Sequence, residues 1–261
     1  MLNLTPCAKF LLIVNIVVFA LCAIFDSMES DLALYYIKSD MFRPYQFLTY
    51  MFVHSSLMHI FFNMFALYQF GSVIENLWGS KRFMFFYLVC GLGAAFTNMA
   101  VNYFQIMPME QAAEVVVNSP TVDNFKAFAS EHSYLFNMPK LDEVISTYKN
   151  DPEFPAFIRS AVSEVVEKYS ARPVVGASGA VFGLLLAFGM MFPDLKLQFM
   201  FIPIGIKAKY FVLLYGAAEL FFGIENFQGD YIAHFAHLGG MLFGFVLILY
   251  WRKNPHNEFF S

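Results

Sequence analysis

The sequence predicts an all-α polytopic membrane protein: a bundle of six transmembrane helices with a helical insertion outside the membrane between spans three and four. Three observations lead there. Of 261 residues 59% are hydrophobic and only 14% charged, too apolar for an ordinary soluble domain. Six apolar runs approach or reach the length that a bilayer core requires. A single long stretch, residues 105–173, breaks the pattern with ten acidic and six basic residues.

The first run, Ala8–Phe25, carries Lys9 near its start and shows no small-residue cleavage site after it, so it is expected to be retained as span one rather than removed. The segment from Asp26 to Val53 is rich in aromatic residues around Arg43-Pro44, a content suited to the membrane interface. Span two is expected over Ser56–Leu77 and span three over Phe83–Phe104, joined only by Trp78–Arg82 as an antiparallel hairpin. Spans four to six are expected over Val174–Pro193, Ala208–Ile224 and Tyr231–Trp251. The chain therefore divides into residues 1–104 with the first three spans, 105–173, and 174–261 with the last three spans and a short cytoplasmic tail.

Residues 105–173 are too apolar for a disordered linker. Pro155–Tyr169 places Phe157, Ala161, Val165 and Tyr169 on one helical stripe. Pro155 falls where a first helical turn accepts it, with Asp151 and Glu153 just ahead. A second amphipathic stretch lies at Asn124–Ala129.

Lysine and arginine set the orientation. With the amino terminus inside, the inner segments hold Lys9, Lys81, Arg82, Lys196, Lys207, Lys209, Arg252 and Lys253, and the short outer loops hold Lys38 and Arg43; both termini are then cytoplasmic. A net charge of −4 and the lack of a basic, aromatic-interleaved cluster argue against nucleic-acid binding. Three cysteines make no disulfide framework. The expected location is a bacterial cytoplasmic (inner) membrane.

Polar side chains inside spans are costly and mark functional positions. His59 and Asn63, four apart, share a face of span two. Ser178 opens span four among glycines. His237 shares a face of span six with Gly240 and Gly244, whose small size lets another backbone come close. Spans two, four and six all enter from outside. At 1.5 Å per residue His59 lies about 5 Å in, Asn63 about 10 Å, Ser178 about 6 Å and His237 about 9 Å. Four polar groups from three helices thus converge on one level. That set suits acyl transfer, with Ser178 as nucleophile, His237 as its base, and Asn63, His59 and the Ser178 backbone N–H as oxyanion donors. No carboxylate is expected at this level, so the pair is a Ser–His dyad; Glu75 and Glu219 are read as structural, as helix-end or interhelical partners. A metal held by His54, His59, His234 and His237 would lack both a His-Glu-x-x-His motif and a nearby carboxylate. Packing alone explains Gly179 and Gly183, and a channel would need charge along a through-path.

Gly176-Ala-Ser178-Gly179, His54-x4-His59-x3-Asn63, Gly71-x3-Glu75-x3-Gly79 and Ala236-His237-x2-Gly240-x3-Gly244 together resemble the rhomboid family of intramembrane serine proteases. The resemblance implies a Ser178–His237 dyad with the Asn63, His59 and Ser178-amide oxyanion hole. It also implies no metal or organic cofactor, and transmembrane protein substrates cut near the outer membrane face. A rhomboid-like protein that binds transmembrane helices without cutting them is the alternative. Phe42 and Phe182 depart from the family's usual Trp and Tyr, each keeping a ring. The insertion before the nucleophile is absent from compact members and is expected to shield the site or to contact substrate ectodomains.

Overall fold

The structure, a computed structural model, describes residues 4–199, 202–225 and 233–253. In chain order it runs α1 (Pro6–Ile24), α2 (Asp26–Leu32), α3 (Gln46–Thr49), a 3-10 turn (Tyr50–Phe52), α4 (Leu57–Ala66), a π-helical turn (Leu67–Gly71) and α5 (Ser72–Trp78). It continues with α6 (Ser80–Asn118), α7 (Val122–Glu131), α8 (Met138–Tyr148), α9 (Phe154–Ser170), α10 (Ser178–Met191), β1 (Lys196–Phe199), β2 (Ile202–Lys207), α11 (Ala208–Glu225) and α12 (His234–Lys253). Two compact units emerge. One holds the described residues of Met1–Leu34, Arg43–Met99 and Pro173–Ser261, and the other holds Tyr35–Phe42 and Ala100–Arg172.

Among the described residues four helical stretches are long and apolar enough to cross a membrane: Pro6–Ile24, Leu57–Trp78, Ser80–Asn118 and His234–Lys253. This is a multi-pass membrane protein. Many large apolar side chains face outward, as Phe61, Phe62 and Phe65 on α4 and Leu242, Phe245 and Val246 on α12 do, the arrangement expected when hydrocarbon rather than water surrounds a bundle.

Several boundaries differ from the expected ones. The hairpin between spans two and three narrows to Gly79, whose φ of 79° lets the chain reverse where a β-carbon would be strained. The third span does not stop at Phe104; α6 runs on for 39 residues through Pro108 to Asn118, so the first part of segment 105–173 shares its helix. The fourth run is helical only from Ser178, 14 residues in all or about 21 Å, because Val174–Ala177 is held in a non-helical path. Val174 pairs with Leu34 through N–H···O bonds of 2.9 and 2.8 Å, and the Gly176 N–H donates to the Tyr50 carbonyl at 2.9 Å. These bonds satisfy the backbone groups that a dipping segment would otherwise strand. The start of the sixth run, Tyr231 and Ile232, and the tail from Asn254 lie outside the described residues.

The all-helical expectation also gains an antiparallel ribbon, β1 with β2, pairing Lys196 with Lys207 and Leu197 with Ile206. Its signal is the alternation of apolar residues in Ile202-Pro-Ile204-Gly-Ile206. Beside it Asp194 accepts from Lys207 at 3.0 Å and Lys209 at 2.9 Å.

In the second unit α7, α8, α9 and the later part of α6 bury Met109, Val116, Phe125, Phe128, Ile145, Phe154, Ile158 and Val162 in one core. The stripe on α9 is rotated from the expected one. Phe154, Ile158 and Val162 form its centre, Ala161, Val165 and Tyr169 flank it, and Phe157 is 48% exposed. A four-residue repeat alone does not separate these two neighbouring faces of a helix.

Two features fix the first unit. The Glu75 carboxylate accepts from the Thr5 and Ser80 hydroxyls and from the backbone N–H groups of Cys7 and Ala8, both at 2.9 Å. It thereby caps the amino end of α1, where unpaired N–H groups favour an anion; Glu75 is a helix-end partner. The other is the meeting of α10 and α12 at glycines. A β-carbon on Gly240 would lie 1.8 Å from the Gly179 carbonyl oxygen, and one on Gly183 would lie 2.4 Å from Cys90 Sγ and 3.1 Å from the Gly240 carbonyl oxygen. Two backbones in contact cannot be parted by a rotamer change. Gly240→Ala is therefore expected to lower stability by about 1–3 kcal/mol or more, read as a depressed melting temperature in detergent.

Candidate active site

Four helices supply the site. Ser178 is the first residue of α10, so its side chain stands where the backbone leaves the dipping segment and where the first amides of a helix have no intrahelical acceptor. His237 lies one turn into α12, three residues before Gly240. The glycine contact draws the two helix ends together, and His237 Nε2 lies 2.8 Å from Ser178 Oγ. Phe182, one turn after Ser178, stacks on the His237 ring with centroids 4.2 Å apart and planes 6° apart. The aromatic ring at this position therefore packs the imidazole without a hydroxyl. Ser178 is partly buried, and the His237 side chain is 12% exposed.

His59 reaches the same place through Gly176. A β-carbon on Gly176 would lie 2.7 Å from His59 Nε2 and 3.5 Å from Ser178 Oγ, so both groups flank this one α-carbon. Its φ of 121° is one that glycine alone adopts readily. Ser56 caps α4 by accepting from the His59 N–H at 3.1 Å, and Ser55 Oγ lies 3.2 Å from His59 Nδ1. Asn63 is buried one turn below, and one N–H of its amide donates to the His59 carbonyl at 3.2 Å. The structure thus brings Ser178 and His237 into direct contact, brings His59 beside them, and ties Asn63 to the His59 turn.

The expectation that no carboxylate stands at this level is corrected. Glu219 on α11 is buried, and its Oε2 lies 2.8 Å from His237 Nδ1 and 2.6 Å from His234 Nδ1. The expected span that holds Glu219 enters from the opposite side, so its depth is counted from the other end. Counted back from Glu225, where α11 ends, Glu219 lies about 9 Å in, level with His237. His234, one turn before His237, packs against Phe222 with centroids 5.8 Å apart.

Glu219, His234 and His237 are also the described residues able to gather on a metal ion, with ligand atoms within 4.8 Å of one another. The four histidines whose sequence context argues against a metal site are not gathered as one set: His54 pairs with His59, ring centroids 4.9 Å apart, and a carboxylate joins His234 and His237. A cation bonded to all three at about 2.0–2.2 Å would hold its donor atoms roughly 3.3 Å apart. The separations of 2.6 and 2.8 Å are those of hydrogen bonds.

The family model for the rhomboid domain matches residues 41–107 and 154–254, well over half the chain and every site residue above. The chain belongs to the rhomboid family. It is also 28% identical over 200 residues to an uncharacterized mitochondrial rhomboid protein of Schizosaccharomyces pombe, an alignment covering 76% of this chain and 48% of that one. The chain therefore spans about half the length of this curated relative.

His54, just ahead of α4, is held neutral: burial first, and then the neighbouring His59 imidazole, push its pKa down from 6.5 to about 3, with the Phe52 backbone opposing. Because the unfolded chain takes up this proton at higher pH than the native one, the contribution is complete above pH 6.5 and is lost as pH falls from there toward about 3. Thermal melts in detergent across this range are expected to show a fall on acidification that His54→Phe flattens. Gly176→Ala, which puts a methyl group against His59 at a positive φ, is expected to lower the rate of chemical labelling at Ser178 by about fivefold or more, through strain of about 1–3 kcal/mol.

Proposed function

We propose that this rhomboid-family chain is an intramembrane serine endopeptidase that cuts transmembrane segments of membrane proteins near the outer membrane face. The observation that carries this reading is the 2.8 Å contact between Ser178 Oγ and His237 Nε2. A serine hydroxyl is a weak nucleophile until a base is within hydrogen-bond reach. Ser178 Oγ attacks the scissile carbonyl carbon and gives its proton to His237 Nε2. The C–N bond then breaks and the same proton passes to the leaving amine. Water attacks the acyl ester, delivers a proton to Nε2, and that proton returns to Ser178 Oγ as the acid product leaves.

The negative oxygen of each tetrahedral intermediate needs donors already in place. The Ser178 backbone N–H and the side chains of His59 and Asn63 serve that role, with the Asn63 amide turning from the His59 carbonyl or using its second N–H. The chemistry calls for no metal or organic cofactor. The partial exposure of Ser178, with His237 still 12% exposed, supports access of water to the dyad.

In this reading α10 and α11 join the four long apolar helices to make six spans. Arg82 lies over the Trp251 ring at 4.3 Å and Arg252 donates to the Met190 carbonyl at 3.3 Å, gathering cations at the end of α10 opposite Ser178. That supports a cytoplasmic face there and an outward site. The bacterial inner membrane expected from the sequence gains no support from a relative named as mitochondrial. The family match omits residues 108–153, which supports reading the region around α7 and α8 as an insertion, proposed to meet substrate ectodomains or to shield the site.

The full chain in detergent is expected to react with a fluorophosphonate probe. Labelling should vanish in Ser178→Ala and fall sharply in His237→Ala, while Asn63→Ala should slow turnover by about 10²-fold or less, other donors remaining. A chain that binds transmembrane helices without cutting them would show no Ser178-dependent labelling.

A further inference from the structure

We infer that Glu219 is a positioning residue for His237, making the site a Ser178–His237–Glu219 relay in which His234 holds the carboxylate in place. The inference rests on the protease reading above. Its starting point is that one oxygen, Glu219 Oε2, meets two imidazole Nδ1 atoms, at 2.8 Å from His237 and 2.6 Å from His234. A protonated carboxyl would have to use this one oxygen as O–H donor to one nitrogen and as a weaker hydroxyl acceptor from the other. An ionised carboxylate has no O–H and accepts from both. Glu219 is 6% exposed, and a buried polar group is expected to have its bonds made. The arrangement that makes both contacts strong is a carboxylate accepting two charge-assisted Nδ1–H bonds.

The consequence falls on the other edge of the His237 ring. With its proton on Nδ1, neutral His237 presents the Nε2 lone pair to Ser178 Oγ 2.8 Å away, the tautomer a general base needs. Phe182 fixes the plane of the ring, and Glu219 fixes its rotation within that plane and the site of its proton. When Nε2 takes the serine proton, the charge of the imidazolium lies beside the carboxylate that already holds its far side. His234 restrains Glu219 from the second direction, so the carboxylate reaches His237 without swinging toward solvent. Glu219 touches neither substrate nor the reacting atoms in this scheme; it acts through His237.

The test uses the full chain purified in detergent, with a fluorogenic transmembrane-peptide substrate and a fluorophosphonate probe. Glu219→Gln keeps the shape of the side chain, but its amide can donate to Nδ1 and so favour the wrong tautomer. It is expected to lower kcat by about 10²-fold or more with KM changed less than about threefold, and to slow labelling of Ser178 in parallel. Glu219→Asp is expected to recover part of the loss. Isotope-labelled histidine should show, in the wild-type protein, a far-downfield Nδ1–H proton resonance from His237 that Glu219→Gln removes. A structural role alone would lower the folded fraction without separating kcat from KM and would leave that resonance in the folded protein. Unchanged kcat and labelling in folded Glu219→Gln, or no such resonance in the wild type, overturns the inference. The resonance is read without the variant, so it decides the matter even if Glu219→Gln does not fold. Absence of Ser178-dependent labelling in the wild type would instead overturn the protease reading on which the relay depends.

Discussion

The site depends on the bare-backbone contact between α10 and α12. In a lipid environment apolar side chains gain little by leaving one another for hydrocarbon, so helices associate through close packing and polar contacts. Gly240 lies against the Gly179 carbonyl, and Gly183 lies under Gly240 with Cys90 at its side. That contact sets the distance between the two helices at the level of Ser178 and His237. A single methyl group at Gly240 would occupy the carbonyl of the residue next to Ser178, so the geometry that packs the bundle also aligns its polar atoms.

Around that contact, several polar elements find partners elsewhere in the chain. The segment ahead of Ser178 is non-helical and borrows bonds from Leu34 and Tyr50. The Tyr50 hydroxyl in turn donates to the Gly91 carbonyl at 2.6 Å, tying the loop after α2 to α6. At the far end Glu75 caps α1, and Trp78 packs edge-on against Trp251 with centroids 5.3 Å apart. The irregular backbone before α10 thus has its polar groups paired within the protein, the condition under which such backbone is tolerated at membrane depth.

Much of this was legible in the chain because membrane physics makes polar residues and glycines conspicuous. Ser178, His237, His59 and Asn63 could be placed on one level by counting residues from the ends of apolar runs, and Gly179, Gly183, Gly240 and Gly244 announced a close helix pair. Glu219 was visible as a letter but not as a partner. In the arrangement expected from the sequence its helix enters from the opposite side, so its depth has to be counted from the other end, and which face of α11 turns toward α12 is a matter of packing. The continuation of α6 past Phe104 was hidden because helix formation does not stop where hydrophobicity does. Pro108 removes one backbone bond without ending the helix. Phe157 was assigned to the buried stripe because the sequence pattern fits two adjoining faces, and only the neighbours chosen by Phe154 and Ile158 separate them.

The most direct test of the central claim is an experimental structure of the full chain in a lipid bilayer, read for the separation of Ser178 Oγ and His237 Nε2. The account predicts hydrogen-bond contact, near 2.8 Å, with the Gly179 and Gly240 backbones touching. Side chains interleaved between α10 and α12, with the hydroxyl and the imidazole well beyond contact, would contradict it.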